Sequence, residues 1–335
     1  MLISKLSDFL VRSYNNPNTA KRTVYLEGAS GIGKSQIIHQ TSDVLAKQYP
    51  DEWKGIIDLR LSQCDVTDLR GVPSIVDGRT VWNSPDFFPK EGTRGILFLD
   101  EITSAPPAMQ AVAYQIALDR LGMPDGWFIV AAGNKQSDRG VTFTMAAPLI
   151  NRMTKIDVET EINSFLSHYM QRGKRPEIAA FLHERPDFMH KFDGKSAGQQ
   201  FPTPRAWFAA SDHLDLCTNP SERVEILGGD IGIEAASQLE AFLRVWETMP
   251  KLDSIYKDPD TVRIPDQLNV KYCVAMGLAA TLTKDNFNNG FKYLKRMPKE
   301  FQTLSVRMAY QRDKGIAGAG AAFAEWAIAN QEAFT

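Results

Sequence analysis

The residues Gly28-Ala29-Ser30-Gly31-Ile32-Gly33-Lys34-Ser35 satisfy the spacing G-x-x-x-x-G-K-[ST] and follow an apolar run, Val24-Tyr25-Leu26. That order has a mechanical meaning. A strand delivers the loop, and glycines let the backbone wrap an anion without Cβ clashes. Successive N–H groups and the positive end of the next helix then hold phosphate oxygens. Lys34 is placed to reach the β- and γ-phosphates and the Ser35 hydroxyl to ligate Mg²⁺, with Gln36 next in the same binding segment. At average composition, such a match arises by chance about one time in a hundred in a chain of this size.

A second apolar run, Ile96-Leu97-Phe98-Leu99, ends in Asp100-Glu101. A parallel strand beside the glycine loop puts both carboxylates at the γ-phosphate: Asp100 to hold Mg²⁺ through its water shell, Glu101 to polarise the water that attacks phosphorus in line. A third run, Trp127 to Ala132, ends at Gly133-Asn134. A side-chain amide at the carboxyl edge of a neighbouring strand is placed to orient that water or to touch the γ-phosphate. The chemistry these groups support together is transfer of the terminal phosphoryl group of a nucleoside triphosphate to water.

The elements that must position these groups are legible in the apolar pattern. Ile3, Leu6, Phe9, Leu10 and Tyr14 fit an amphipathic opening helix, broken at Asn15-Asn16-Pro17-Asn18. Ile37, Ile38, Val44 and Leu45 suggest a helix after the glycine loop, and residues 55–61 a further strand. Near-continuous apolar strands separated by helical stretches predict a parallel sheet covered on both faces. Between strands, Asp77-Gly78 sits between two β-prone arms and predicts a hairpin over about 74–82. Beyond about residue 160 the spacing turns helical: Ile178, Phe181 and Leu182 form one face, and Leu239, Phe242, Leu243 and Trp246 another. The Gly- and Ala-rich stretch 315–322 reads as a spacer loop before a last helix, with close backbone packing as the alternative.

Bulk composition narrows the class. The chain has 335 residues, 43% of them hydrophobic, enough for a large core and more than one module. A net charge of -2 creates no global attraction to nucleic acid or to an anionic membrane. Cys64, Cys217 and Cys273 are odd in number, widely spaced and without a C-x-x-C pair, which points to reduced thiols rather than disulfides or zinc. No stretch approaches 18 uninterrupted apolar residues, and a soluble, cytoplasmic protein is expected.

The ordered set of glycine loop, Leu99-Asp100-Glu101, Asn134, Asn151-Arg152 and Pro204-Arg205-Ala206 resembles AAA+ ATPases, specifically the MoxR group. The stretch Asp68 to Pro89 looks like the hairpin insert that group carries, and Gly95 to Arg120 like its Walker B region. The resemblance covers roughly the first 215 residues; the remainder is similar, with less specific motifs, to the helical tail of bacterial and phage MoxR-like ATPases. It implies an AAA+ core over residues 1–158, a helical lid over 159–218 and a helical C-terminal region over 219–335. It also implies roles: Asn134 as sensor 1, Arg152 as the arginine finger that reaches a neighbouring subunit's γ-phosphate, and Arg205 as the sensor-2 arginine of the lid. The resemblance further implies a hexameric ring in a bacterial or phage-infected cytoplasm, acting on a protein client, with a von Willebrand factor A-like domain protein as the candidate. The segment 120–126 is short for the second hairpin of that group and is expected as a turn.

Other readings compete. Asp68-Leu69-Arg70-Gly71 fits the D-x-x-G of a GTPase, but Asn134-Lys135-Gln136-Ser137-Asp138 is one residue too long for a guanine-selecting N-K-x-D. An AAA+ motor or initiator on nucleic acid is the stronger rival, since Lys292, Lys295, Arg296 and Lys299 have the spacing of one helical face. Without a recognition helix or a basic overall balance, a protein partner is favoured over nucleic acid. His183 and His190 lack the spacing of a metalloprotease, and Pro186 interrupts the segment between them.

Overall fold

A computed structural model describes residues 1–135, 143, 145, 147–192 and 199–330. The chain forms two compact units, Met1–Thr160 and Glu161–Thr335. In the first unit the strands are β1 (Val24–Glu27), β2 (Trp53–Arg60), β3 (Val72–Val76), β4 (Arg79–Asn83), β5 (Arg94–Asp100), β6 (Trp127–Gly133) and β7 (Thr154–Asp157). Five of them make one parallel sheet in the order β2-β5-β6-β1-β7. The carboxyl ends of β1, β5 and β6 are therefore side by side, which is where open α/β sheets bind ligands.

Alternation along these strands divides the core in two. Val24 and Leu26, Ile96 and Phe98, and Phe128 and Val130 pack against α1 (Ile3–Asn15) and α2 (Lys34–Gln48). The intervening Tyr25, Leu97, Leu99, Ile129 and Ala131 pack on the other face, against α4 (Pro107–Asp119). Period-two side chains that are apolar on both sides require helices on both faces. The short helices α3 (Val66–Arg70) and α5 (Ala147–Ile150) complete this unit. This is the α/β architecture of P-loop nucleotide-binding proteins, with a parallel sheet between helices.

The expected hairpin is β3 and β4, paired antiparallel through Asp77 (φ 51°) and Gly78 (φ 72°). Two successive positive φ values suit the right-handed twist of the arms. Residues 120–126 form a turn, with Arg120, Gly122 and Gly126 at positive φ. Asp68 closes a capping box with Asp65 at the start of α3 and so serves a helix end; Gln136, Ser137 and Asp138 lie outside the described residues.

The second unit is helical: α6 (Ile162–Gln171), α7 (Pro176–Glu184), α8 (Pro204–Leu214), α9 (Pro220–Ile231), α10 (Ile233–Trp246), α11 (Leu252–Lys257), α12 (Leu268–Thr281), α13 (Phe287–Leu294), α14 (Lys299–Arg312) and α15 (Ala321–Ala329). The segment expected as a lid and the helices after it are packed around one core. At its centre, α12 buries Cys273 through Ala279 without a polar face, as a helix surrounded by others must.

Two expectations are corrected. The basic residues 292–299 do not share a helix, because α13 ends at Leu294 and Pro298 disfavours helical backbone at the residue before it. Lys292 pairs with Asp260 at 2.5 Å, and Arg296 donates to the carbonyls of Pro259 and Val262. The stretch expected as a spacer contains a 3₁₀ turn, Lys314–Ala319, that buries Ile316 completely.

Candidate functional site

The phosphate loop begins where β1 stops. The Gly28 N–H donates to the Gly133 carbonyl at 3.3 Å, tying the loop to β6. A Cβ at Gly28 would lie 2.7 Å from Ile32 Cδ1 and 2.9 Å from the Val158 carbonyl, so only glycine fits there without displacement. Gly31 (φ 74°) and Gly33 (φ 98°) turn the backbone left-handed before α2. The N-cap of α2 is Gly33, which has no side chain to cap the helix. The N–H groups of that first turn, with the helix dipole behind them, form an anion seat.

Lys34 is buried, and its Nζ donates to the Gly28 carbonyl (2.7 Å), the Ala29 carbonyl (2.9 Å) and Asn134 Oδ1 (3.0 Å). The ammonium is thus held inside the curl of the loop. Ser35 Oγ donates to Asp100 Oδ2 at 2.8 Å. A hydroxyl and a carboxylate at this separation, beside an anion seat, are the hard oxygen donors that Mg²⁺ prefers, so the residues fit that ion. The other Asp100 oxygen accepts from the Glu101 backbone N–H at 2.8 Å.

Glu101 has φ 58°, a left-handed conformation that non-glycine residues rarely adopt. Such backbone costs on the order of 1–3 kcal/mol and persists where surrounding structure imposes it, often at functional sites. The Ile102 N–H bonds to the Ala132 carbonyl and the Ser104 N–H to the Glu101 carbonyl, which together hold the turn. Asn134 is fixed from behind, its N–H donating to Thr103 Oγ1 at 3.1 Å.

Two neighbours were not foreseen. The Ser62 hydroxyl donates to Glu101 Oε2, from the chain just past β2. Asp58, on β2 two residues before Arg60, the register partner of Asp100, has its carboxyl pushed up by burial first and then by the negative charge of Asp100. Nothing in their local sequence marks either residue, because both reach the site only through the β2–β5 pairing.

Arg152 lies away from this loop. Arg152 stands two residues before β7, and Val24 aligns with Thr154 in a parallel register. The phosphate loop follows the opposite, carboxyl end of the same strands. Four to six residues at about 3.3 Å each put Arg152 roughly 13–20 Å from its own loop. It pairs instead with Asp119, the last residue of α4, at 3.0 Å, both side chains being more than half exposed. Arg205 is exposed in the first turn of α8, behind Pro204, in a helix whose Thr203 cap accepts from the Ala206 N–H at 3.1 Å. Among the described residues no His, Cys, Asp and Glu cluster could hold a metal by itself, and no helix is long and apolar enough to cross a membrane.

No protein-family model matches the sequence, and no curated protein matches it. Solved structures are similar only in part. PCH-2 of C. elegans is 13% identical over 88% of this chain and 67% of that one, with a TM-score of 0.34. A variant of RuvB from Thermotoga maritima is 15% identical over 88% and 86%, with a TM-score of 0.36. NtrX from Brucella abortus, solved with ADP, is 13% identical over 98% and 69%, with a TM-score of 0.37. The features of this chain that suit a nucleotide are its own parallel sheet, glycine loop and paired carboxylates.

Proposed function

We propose that the chain is an ATP-hydrolysing AAA+ protein of MoxR type that works as a ring, most simply a hexamer, and remodels, matures or activates a protein partner. The observation that carries the ATPase reading is the Ser35–Asp100 hydrogen bond beside buried Lys34, with Glu101 next to Asp100. The loop N–H groups and Lys34 bind the phosphates. Ser35 and Asp100 are the residues that would hold Mg²⁺, which supplies charge neutralisation on the phosphate oxygens. Glu101 orients a water and takes its proton, while Asn134 steers that water or the γ-phosphate.

Arg152 lies too far from its own loop to complete this site, which supports its assignment to the site of a neighbouring copy. A cationic donor there stabilises charge on the transferred phosphoryl group and couples adjacent subunits. Arg205 would contribute a second arginine from the helical segment that follows the core. The rival reading, a nucleic-acid motor, loses its basic helical face, since Lys292 and Arg296 are bound to neighbouring loops.

The test is Glu101→Gln. It should keep ATP binding and lower turnover at least about 100-fold, the usual scale for removing a general base. Full ATPase activity would overturn the assignment. The same variant, loaded with ATP, is the trap with which to isolate the client; salt-sensitive retention of DNA or RNA instead of a protein would favour the rival.

A further inference from the structure

We propose that Arg22 is a positioning residue for Arg152; this rests on the reading above, in which Arg152 completes the site of a neighbouring copy. Arg22 lies just before β1, and its Nη2 donates to the carbonyls of Asn151 (3.4 Å) and Met153 (3.2 Å). Those are the carbonyls of the residues on either side of Arg152. One residue further on, the Thr154 N–H donates to the Thr23 carbonyl at 2.9 Å. Within the turn, the Arg152 N–H bonds to the Leu149 carbonyl and the Met153 N–H to that of Ile150. The backbone carrying Arg152 is therefore held by its own turn and latched from outside by Arg22 and Thr23.

The side chain is held differently. Arg152 and Asp119 form an exposed pair, of a kind that contributes little to stability and can exchange with solvent or another anion. A firm backbone with a releasable guanidinium is what reaching into another subunit requires. A single nitrogen, Nη2, reaches both carbonyls, so one cationic side chain spans the turn. Arg22 is exposed, its contact with the Asn151 carbonyl lies at the surface and that with the Met153 carbonyl is partly buried, so water can take over the first when the side chain is removed. Loss of Arg22 should then cost position rather than folding. A small misplacement of a catalytic group can cost about 100-fold in rate.

The experiment uses the full chain. Arg22→Ala should bind a fluorescent ATP analogue with unchanged affinity and lose about 10- to 100-fold in kcat. Mixed with Lys34→Ala subunits, which cannot turn over alone but carry an intact Arg152 turn, it should regain activity, and Arg22→Lys should retain much of the rate. Arg152→Ala mixed with Lys34→Ala is the parallel control. If that control is rescued while Arg22→Ala is not, or if Arg22→Ala turns over normally or loses nucleotide binding, Arg22 does not position Arg152. If Arg152→Ala keeps wild-type turnover, or is not rescued by mixing, the neighbouring-copy arrangement itself is wrong and the role of Arg22 falls with it.

Discussion

Lys34 Nζ and Asn134 Oδ1 stand 3.0 Å apart, so the loop after β1 and the end of β6 share one hydrogen bond. The two residues are a hundred positions apart in sequence and meet because β1 pairs directly with β6. Their contact predicts separable effects. Lys34→Ala should abolish ATP binding. Asn134→Ala should leave binding nearly intact and reduce kcat by about 10²-fold, the scale seen when one preorganised polar donor is removed. Equilibrium nucleotide binding and steady-state ATPase assays distinguish them; an Asn134→Ala defect confined to binding would assign the amide to the ground state.

Gly28→Ala places a methyl group against the Val158 carbonyl and Ile32 Cδ1. The carbonyl is backbone and cannot step aside cheaply. Overpacking of this kind costs about 1–3 kcal/mol, and here it also distorts the anion seat. Chemical denaturation should show the loss of stability, together with weaker ATP binding. Unchanged binding would mean that the loop relaxes around the methyl.

Asp58 gives a pH-dependent prediction. Its carboxyl is pushed above its ordinary value of 3.8, by burial first and Asp100 next. The folded protein therefore holds that proton more tightly than the unfolded chain, and the associated stability is present in acid and lost as pH rises through the raised value. At pH 7 the charged Asp58 is a liability. Asp58→Asn should raise the melting temperature at neutral pH, with the gain shrinking toward pH 4. A gain that is the same at both pH values would remove the electrostatic cause.

His183 has the opposite sense. Its pKa is lowered from 6.5, chiefly by burial and then by Arg307, and its buried Nδ1 has no hydrogen-bond partner among the described residues. The folded state favours the neutral ring, so stability is intact above pH 6.5 and falls as the pH drops below it. Thermal melts between pH 7.5 and 5 should show a smaller acid-induced loss for His183→Gln than for the unaltered chain. Equal losses would place the acid sensitivity elsewhere, with His168, which burial and Arg172 also hold low, the next residue to replace.

Ser62→Ala removes the hydroxyl that holds Glu101 from β2's end. If that contact competes with the water-polarising role of Glu101, ATPase activity rises; if it orients the carboxylate, activity falls. The contact constrains a carboxylate already in a strained conformation, and orientation is the expected outcome: a drop in kcat of about tenfold, on the scale of 1.4 kcal/mol in the barrier. Unchanged kcat would make Ser62 a bystander.

What could be read from sequence follows a physical line. The glycine loop, β1, β5 and β6 are legible because buried parallel strands are nearly all apolar and a phosphate loop needs glycine where φ is positive. β7 was not foreseen, since Thr154-Lys155-Ile156-Asp157 is an edge strand with one buried side chain and looks like any polar loop. The hairpin announced itself through Asp77-Gly78, whereas Arg22, Ser62 and Asp58 carry no signal without the strand register. The basic run at 292–299 misleads because spacing alone assumes a continuous helix, and Pro298 prevents one.

The β3–β4 ribbon has only two strands, with Ile75 81% and Trp82 53% exposed. A ribbon of two strands has little to hold it closed when it stands alone. Its amide protons should exchange with solvent at nearly the rate of opening of a single hairpin, far faster than those of β5 or β6. Deuterium uptake at residues 72–83 is thus a clock built into the chain: it slows only when another surface covers the ribbon, and it would time the arrival of a neighbour or client without any label.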